Sequence, residues 1–380
     1  MARRRGGSPG RCLCQRRARS WQHNSRSLSA DRALAFLCPQ YGGAQAVAET
    51  VRAEGAAAKI CAAALMRIDE SAELLVSCKD AYEFLDGLPT QSVDLIITSP
   101  PYWGLRTYDL PHDNATLDKW RALGLPNDAV PSYEWYKRSG GQLGLEPFPE
   151  WFVSHLVEIL DRGARSLKPD GNLWVNLGDT YFARWSSIRI RGRQGLDDSE
   201  RLRRRTPSGG YRHDKQLLLI PARFAIAMQD SGWILRNDLI WSKPHVAPRP
   251  EKDRLRLAHE HFFHFVKRAP RRRPTYYYDI DEAEPGALDV VHRSVANGGD
   301  GHSATFPEEL VSPRIASSSR VGGVVVDPFC GIGTSLVTAR KLGRRAWGSD
   351  VSANSVRTAR AKLARKNDTS GASSQVTVSG

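Results

Sequence analysis

From Met66 onward, short runs of apolar β-branched residues alternate with longer segments whose apolar positions repeat every three or four residues. The stretch "SVDLIITSP" predicts a buried strand that ends at Ser99. The stretch "PEWFVSHLVEILDRGARSLKPDG" has Phe152, Leu156 and Ile159 on one face and stops at Lys-Pro-Asp-Gly, which predicts a helix and a turn. This alternation is typical of an α/β domain with a mostly parallel sheet.

The middle of the chain continues the same pattern. Three strands are predicted from "NLWVNLGD", "ILRNDLIWSKP" and "EHFFHFVKR", and one helix from "LLLIPARFAIAMQDSGW". Residues 183–215 interrupt this series, because they are rich in arginine and turn residues and have no core pattern. We therefore expect a long basic surface loop there.

The segment "VGGVVVDPFCGIGTSLVTARKLGRRAWGSDVSANSVRTARAKLARK" predicts a strand, a glycine loop, a helix, a strand and a helix. Gly331 and Gly333 allow the backbone to approach a ligand closely. The segment lacks the Gly-Lys-Ser/Thr of a phosphate loop and the third glycine of the dinucleotide fingerprint. Asp327 and Asp350 follow the two strands, and the second stands where α/β nucleotide binders hold ribose hydroxyls. The pattern predicts a nucleoside site.

Composition adds a candidate partner. The 380 residues carry a formal net charge of +14, with a sequence pI near 9.7. A basic balance of this size favours a polyanion, most often nucleic acid. The chain has no apolar run long enough for a membrane span. Its six cysteines lie scattered without a paired CxxC framework, which argues against zinc and disulfides and predicts a cytoplasmic setting.

The first 65 residues differ from the rest of the chain. Residues 1–32 hold nine arginines and one acidic residue, and the segment has no apolar periodicity. It could be a nonspecific nucleic-acid arm, an organelle transit peptide or an extension that folding does not need. We favour a disordered extension that folding does not need, because Met66 immediately precedes the first convincing structural segment.

Several blocks carry a resemblance to the amino-methylating DNA methyltransferases. "DPFCGIGTS" resembles the S-adenosylmethionine loop of that family, "TSPPYW" its catalytic motif, and "GHSATFPEEL" the segment that closes over the methionine moiety. Intervening blocks resemble the family in the expected order from about residue 74 to 365, and the catalytic strand precedes the cofactor strand as in the permuted β group. The resemblance implies a class I methyltransferase fold, Rossmann-like, with a seven-stranded mostly parallel sheet and a small target-recognition region.

The resemblance also implies domain bounds. The catalytic half would span residues 66–266, the target-recognition region 267–300 and the cofactor half 301–367, followed by a disordered tail at 368–380. The loops at 103–140 and 183–215 would share in target recognition, since 267–300 is short. The expected setting is the cytoplasm of a bacterium or phage host. Duplex DNA is the expected partner, joined in a restriction-modification system by an endonuclease acting on the same site.

Matching the motifs residue by residue gives the expected sites. The cofactor S-adenosylmethionine would be bound by Asp80, Thr305, Phe306, Pro307, Asp327, Phe329, Gly331, Gly333, Thr334 and Asp350. Asp80, which lies 19 residues before Ser99, would accept from the cofactor's adenine amino group. The expected catalytic residues are Ser99, Pro100, Pro101 and Tyr102, and no metal is implied.

Chemistry explains the catalytic motif. An exocyclic amino group on a base is a poor nucleophile, because its lone pair is delocalised into the ring. The Ser99 hydroxyl and the Pro100 carbonyl can accept from its two N–H groups and aim the lone pair at the sulfonium methyl group, while the prolines fix their direction. Tyr102 would stack on the base and Trp103 would close the pocket. The target nucleotide must be flipped out of the duplex.

The first residue of the tetrapeptide favours one base. In this family Ser-Pro-Pro-Tyr usually accompanies cytosine N4, whereas Asp or Asn at that position usually accompanies adenine N6. Ser99 therefore predicts N4-cytosine methylation within a short duplex site, with adenine N6 as the alternative. RNA or protein amide methylation would typically carry Asn there. An inactive DNA-binding protein is the alternative of another class, against which the intact Ser99, Tyr102, Asp327 and Asp350 argue.

Two further clusters have structural interpretations. His259, His261 and His264 alternate along a predicted strand, and packing or a base contact is favoured there over a metal site. Tyr276, Tyr277 and Tyr278 could stack on DNA or begin a half-buried strand.

Overall fold

Six of the ten strands in the described residues follow the predicted apolar runs. In the computed structural model the ten strands are β1 Leu74–Ser77, β2 Val93–Thr98, β3 Leu167–Leu177, β4 Trp185–Arg189, β5 Arg201–Arg205, β6 Ile234–Ser242, β7 His259–Val266, β8 Val290–His292, β9 Val324–Asp327 and β10 Arg345–Ser349. The helices are α1 Ala81–Asp86, α2 Thr116–Ala122, α3 Tyr133–Arg138, α4 Pro149–Ala164, α5 Ile220–Ser231, α6 Glu308–Ser318, α7 Thr334–Lys341 and α8 Ala353–Ala364.

The structure describes residues 72–104, 112–126, 129–189, 201–246, 252–268, 273–284, 286, 288–295 and 306–365. All of them belong to one unit, Met66–Gly380. The predicted extension at 1–65 and the predicted tail at 368–380 lie outside the described residues, as does Thr305.

One sheet contains eight of the described strands, in the order β1-β10-β9-β2-β3-β7-β6-β8. Strand β7 runs antiparallel to β3 and β6, and the remaining pairs are parallel. The predicted class I α/β fold is confirmed. The sheet has one strand more than the predicted seven, because the three-residue β8 adds to the edge beside β6.

Helices cover both faces of the sheet, which explains why β2 is buried along its whole length. Alternate residues of β2 enter different cores, with Ile96 on the side of α1, α4 and α5, and Leu95 and Ile97 on the side of α6, α7 and α8. The predicted face of α4 is buried, and Phe152 and Leu156 are fully enclosed. A parallel sheet that is covered on both faces requires mostly apolar strands of this kind.

The structure differs from the sequence predictions in three segments. The predicted Lys-Pro-Asp-Gly turn is part of β3, where the pairing with β2 shifts register and the Lys168 ammonium binds the Asp94 carboxylate at 2.8 Å. The predicted basic loop contains the antiparallel ribbon β4–β5. The predicted loop at 103–140 contains α2 and α3, which bury Trp120 and Tyr136. Local turn residues do not reveal pairings between distant segments.

None of the helices within the described ranges has the length and apolar composition needed to cross a membrane.

Candidate active site

The catalytic motif and the glycine loop begin at the ends of two adjacent parallel strands. Strand β2 pairs with β9 through Leu95 and Val325, and the two strands end at Thr98 and Asp327. The Thr98 hydroxyl donates a hydrogen bond of 2.6 Å to Asp327 Oδ1. Ser99 therefore starts the catalytic motif directly beside the start of the glycine loop.

Asp327 is buried, with 1% of its surface exposed, and protein donors surround its carboxylate. Oδ1 also accepts from the Phe329 backbone N–H at 3.0 Å, and Oδ2 accepts from the Ser335 hydroxyl. Burial raises the pKa of Asp327 to about 6, and these hydrogen bonds partly offset that shift. The carboxylate thus joins β2, the loop and helix α7, while its contact with a cofactor stays a prediction.

The two loop glycines differ in their surroundings. Both have positive φ, +51° at Gly331 and +85° at Gly333, a region that favours glycine. A Cβ added at Gly333 would lie 2.9 Å from the Ala359 Cβ, so this glycine lets α8 pack against the loop. A Cβ at Gly331 would meet nothing within 4 Å, so open space lies over this part of the loop. A ligand can therefore approach the backbone at Gly331.

Two further carboxylates lie at the ends of the neighbouring strands β10 and β1. Asp350 follows β10, and its Oδ2 accepts from the Gly331 N–H at 3.0 Å. Asp80 follows β1 and caps helix α1 by accepting from the Tyr82 N–H at 3.0 Å. The sheet order β1-β10-β9 therefore brings Asp80, Asp350 and the glycine loop to one edge.

Tyr133 is a residue of this edge that sequence reasoning missed. Tyr133 is the first residue of helix α3, and its hydroxyl donates a hydrogen bond of 2.8 Å to Asp80 Oδ2. Burial, together with the neighbouring Asp80 charge, raises the pKa of Tyr133 well above its ordinary value. The hydroxyl therefore stays protonated and holds the Asp80 carboxylate in place. Nothing in the sequence near Tyr133 signals this contact, since the residues lie 53 positions apart.

The remaining predicted cofactor residues occupy the flanks of the loop. Phe329 is half-buried beside the core, and Thr334 is the first residue of α7. Phe306 is buried with its ring 6.3 Å from that of Phe262, and Pro307 immediately precedes α6. The segment predicted to close over a methionine moiety, residues 301–310, thus includes the first turn of α6.

The catalytic motif is supported from behind by a buried turn. The Gly104 N–H donates to the Gly144 carbonyl at 2.7 Å, and the Trp103 indole N–H donates to the Glu146 carbonyl at 3.0 Å. Trp103 is 5% exposed and packs in the core. The expectation that Trp103 closes the pocket is wrong, because its ring supports the motif from the interior.

A polar cluster that the sequence did not predict surrounds Tyr102. The Tyr102 hydroxyl donates to Glu260 Oε2 at 2.7 Å, and Asn176 Nδ2 lies 2.8 Å from both of these oxygens. Asn176 Nδ2 also lies 3.5 Å from Ser99 Oγ, and Lys243 forms an ion pair with Glu260. We define these side chains, without Ser99, as the Tyr102 cluster.

Topology explains how the Tyr102 cluster assembles. Asn176 lies near the carboxyl end of β3, Lys243 follows β6, and Glu260 lies at the start of β7. Because β7 is antiparallel to its neighbours, its first residues meet the carboxyl ends of β3 and β6. A polar residue at the start of a reversed strand is the signal that could have indicated this contact.

The predicted histidine cluster has a packing role at one position. His264 is buried, its ring stacks on Trp174 at 4.5 Å between centroids, and its Nε2 lies 2.8 Å from Asn172 Oδ1. Burial lowers the pKa of His264 to about 3, so the ring is neutral. No group of three or more metal-ligating side chains occurs in the part of the chain that the structure describes.

A mostly parallel sheet with one reversed strand, a glycine loop after β9 and carboxylates after β10 and β1 define a class I S-adenosylmethionine-dependent methyltransferase. Residues 93–361 match the N6/N4 DNA methylase family model, described as DNA methylase. The chain belongs to this family of amino-methylating DNA methyltransferases.

Two relatives cover most of the chain. It is 31% identical over 306 residues to the type II methyltransferase M.SmaI of Serratia marcescens, spanning 77% of this chain and 92% of that protein. It is 34% identical over 280 residues to the type II methyltransferase M.Cfr9I of Citrobacter freundii, spanning 72% and 81% respectively.

A solved structure shares the fold. The PvuII DNA methyltransferase, described as cytosine-N4-specific, superposes with a TM-score of 0.53 at 18% identity and covers 77% of this chain and 88% of its own. The predicted family and the predicted cofactor, S-adenosylmethionine, are confirmed, and the substrate is DNA.

The residues at the carboxyl edge suit this cofactor. Open space over Gly331 leaves room for a ligand against the backbone, and Asp350 beside it can accept from hydroxyl groups. Asp80, two strands along the edge, can accept from an amino group. The chemistry of these acceptors therefore matches a nucleoside that carries a ribose and an adenine.

Proposed function

We propose that the chain is a site-specific DNA methyltransferase that modifies the N4 amino group of cytosine in duplex DNA. One observation carries this proposal. The Thr98–Asp327 hydrogen bond of 2.6 Å joins the end of the catalytic strand to the start of the cofactor loop. Ser99 follows Thr98 directly, so the predicted acceptors of the target amino group stand beside the predicted methyl donor site.

Ser99 and Pro100 orient the target amino group in this proposal. The Ser99 hydroxyl and the Pro100 carbonyl accept its two N–H groups, which withdraws the nitrogen lone pair from the ring. Pro100 is buried and Pro101 is half-buried, so the direction of these acceptors is fixed. S-adenosylmethionine, when bound, supplies an electrophilic methyl group. The residues of the chain contribute position and exclusion of water, which account for a large part of such a displacement.

The cofactor-binding role is proposed for the residues at the edge. Asp350 would hold the ribose hydroxyls, Asp80 the adenine amino group, and Gly331 the close backbone approach. Phe329, Gly333, Thr334, Thr305, Phe306, Pro307 and Asp327 complete the proposed set, the last through the shape of the loop.

Serine at position 99 supports cytosine as the target base. The family resemblance pairs Ser-Pro-Pro-Tyr with cytosine N4 more often than with adenine N6. The base is flipped from the duplex and stacks on Tyr102, which is half-buried at the carboxyl edge of the sheet. Adenine N6 is the second candidate, because its amino group has the same two N–H donors.

The DNA would lie along this carboxyl edge. The ribbon β4–β5 begins eight residues after β3 ends, and β5 has arginine at four of its five positions, "RLRRR". A two-stranded ribbon fits the major groove, and arginine binds phosphates and guanine. We therefore propose that this ribbon shares target recognition with residues 267–300. A cytoplasmic restriction endonuclease that cuts the same site is the proposed partner in a bacterial restriction-modification system.

The test is to identify the methylated base. The full chain is incubated with mixed-sequence plasmid DNA and isotopically labelled S-adenosylmethionine, and the DNA is digested to nucleosides for mass spectrometry. We expect labelled N4-methylcytosine, and sequencing of the modified positions then gives the recognition site. Labelled N6-methyladenine would contradict the choice of base, and bound DNA without any label would support an inactive DNA-binding protein.

A variant controls for contaminating activity in this test. Ser99→Ala removes the proposed side-chain acceptor and leaves the glycine loop unchanged. We expect S-adenosylmethionine binding by calorimetry to persist in the variant while incorporation of the label falls to background.

A further inference from the structure

We propose that Glu260 is a positioning residue for methyl transfer, which with Asn176 and Lys243 fixes the Tyr102 ring before DNA binds. The proposal rests on the proposed stacking of the target base on Tyr102. It assigns a role to residues for which the sequence predicted none, and Glu260 lies 158 positions from Tyr102 in the sequence.

The hydrogen bonds around Tyr102 form a closed triangle. The Tyr102 hydroxyl donates to Glu260 Oε2 at 2.7 Å and accepts from Asn176 Nδ2 at 2.8 Å. Asn176 Nδ2 also donates to the same Glu260 oxygen at 2.8 Å. Because a carboxylate accepts only, the Asn176 atom that faces it must be the amide nitrogen. The triangle therefore fixes both the phenol and the carboxamide.

The opposite oxygen of Glu260 is held by charge. Lys243 forms an ion pair with Oε1, and its ammonium lies 4.4 Å from the centre of the Trp241 ring. Glu260 is 9% exposed, and a carboxylate this buried is costly unless it is paired and hydrogen-bonded. Lys243 thus keeps Glu260 in place as a charged acceptor for Tyr102.

The Tyr102 ring is also held at its edge. A Cβ added at Gly178 would lie 2.7 Å from Tyr102 Cε2, so the ring rests directly on the backbone of the segment after β3. A half-buried tyrosine without such supports samples several rotamers and must be ordered when a base stacks on it. These supports order the ring in advance. Asn176 Nδ2 also lies 3.5 Å from Ser99 Oγ, so the triangle is next to the catalytic motif.

The test is a double-mutant cycle on the duplex that carries the recognition site. Glu260→Gln keeps the shape of the side chain and weakens its contacts with Tyr102, Asn176 and Lys243. Tyr102→Phe removes only the hydroxyl through which Glu260 acts. We expect Glu260→Gln to lower kcat about tenfold, with KM for DNA within about twofold. In the Tyr102→Phe background the same substitution should change kcat by less than about twofold, because the two residues act as one unit.

A second readout does not depend on methyl transfer. The chain is labelled with 3-fluorotyrosine, and the Tyr102 resonance is assigned as the one that Tyr102→Phe removes. We expect Glu260→Gln to shift and broaden this resonance. If Glu260→Gln unfolds the protein because Lys243 loses its partner, the variant carrying both Lys243→Met and Glu260→Gln removes both charges and takes its place.

Asp94→Asn is the matched control. The Asp94 side chain is 5% exposed and paired with Lys168 at 2.8 Å, but it lies toward the amino end of β2, away from Ser99. We expect this variant to lose stability and leave the Tyr102 resonance and kcat unchanged. Independent effects of Glu260→Gln and Tyr102→Phe on kcat, or an unchanged Tyr102 resonance in Glu260→Gln, would overturn the proposal. Wild-type protein that leaves DNA unmethylated would instead refute the proposed function.

Discussion

Gly178 offers a direct test of how closely the Tyr102 ring must be placed. A Cβ added there would lie 2.7 Å from Tyr102 Cε2, 3.2 Å from Cδ2 and 3.4 Å from Glu260 Cγ. Carbon atoms in contact prefer about 3.5–4.0 Å, so in Gly178→Ala the ring must move by roughly 1 Å. The hydroxyl bonds at 2.7 and 2.8 Å to Glu260 and Asn176 must lengthen or break to allow this movement.

The expected cost falls on catalysis more than on stability. A misplacement of about 1 Å near a reacting group can lower the rate by about a hundredfold, so we expect kcat to fall by about ten- to a hundredfold. Gly178 does not have a positive φ, so alanine fits the backbone there, and the half-buried ring can relax toward solvent. The free energy of unfolding should fall by about 1–3 kcal/mol, because buried Glu260 and Asn176 lose hydrogen bonds to the Tyr102 hydroxyl.

The assay is the single-turnover rate of methyl transfer to the recognition duplex, with urea unfolding measured in parallel. Gly87→Ala is the matched control, because its Cβ would meet its neighbours at 3.5 Å, an ordinary contact, and its φ is −80°. Full activity in Gly178→Ala would refute the reasoning. Gly178→Ala should not lower the rate of methyl transfer further in the Tyr102→Ala background, because the ring that transmits the effect is absent there. A loss of rate as large as in the wild-type background would also refute the reasoning.

Three further variants test the cofactor edge. Gly333→Ala meets the Ala359 Cβ at 2.9 Å and has φ +85°, so we expect a loss of about 2–4 kcal/mol in the free energy of unfolding. Gly331→Ala adds a Cβ in open space, so it should lose only about 1–2 kcal/mol in urea unfolding while calorimetry shows weaker S-adenosylmethionine binding. Equal effects of Gly333→Ala and Gly331→Ala on S-adenosylmethionine binding and on the free energy of unfolding would contradict the assignment of Gly331 to ligand approach and of Gly333 to helix packing. Burial raises the pKa of Asp327 to about 6 from 3.8, so the folded state binds this proton more tightly than the unfolded state. The stability of the wild type relative to Asp327→Asn should therefore fall by roughly 2 kcal/mol as the pH rises from 4 to 6. Urea-unfolding stabilities of the two proteins that change equally over this pH range would contradict this.

The parts that the sequence predicted well are those specified by local patterns. Strand β2 is apolar at four of its six positions, helix α4 has a regular apolar face, and the segment from β9 to α8 alternates strand and helix with glycines between them. Each of these patterns is complete within about 40 neighbouring residues, so the physical cause of each element is visible without knowing its partners.

The parts that the sequence did not predict depend on distant partners. The Lys168–Asp94 pair joins residues 74 positions apart. The Lys-Pro-Asp-Gly segment, which the local sequence predicted to be a turn, is part of strand β3. The Tyr102 cluster depends on Glu260, whose position at the catalytic edge follows from the reversed direction of β7. Strand β8 has three residues, too few for any periodicity. Only the assembled sheet specifies these contacts.

The hydrogen bond between Thr98 and Asp327 joins residues 229 positions apart, and this separation has a consequence for synthesis of the protein on the ribosome. At about 5–20 residues per second, on the order of 10 to 50 seconds pass between the two residues. During that interval β2 has no β9 beside it and presents an open edge to other nascent chains. The candidate active site cannot form until β9 has emerged, so we expect a product that is truncated before β9 to lack methyl transfer to DNA.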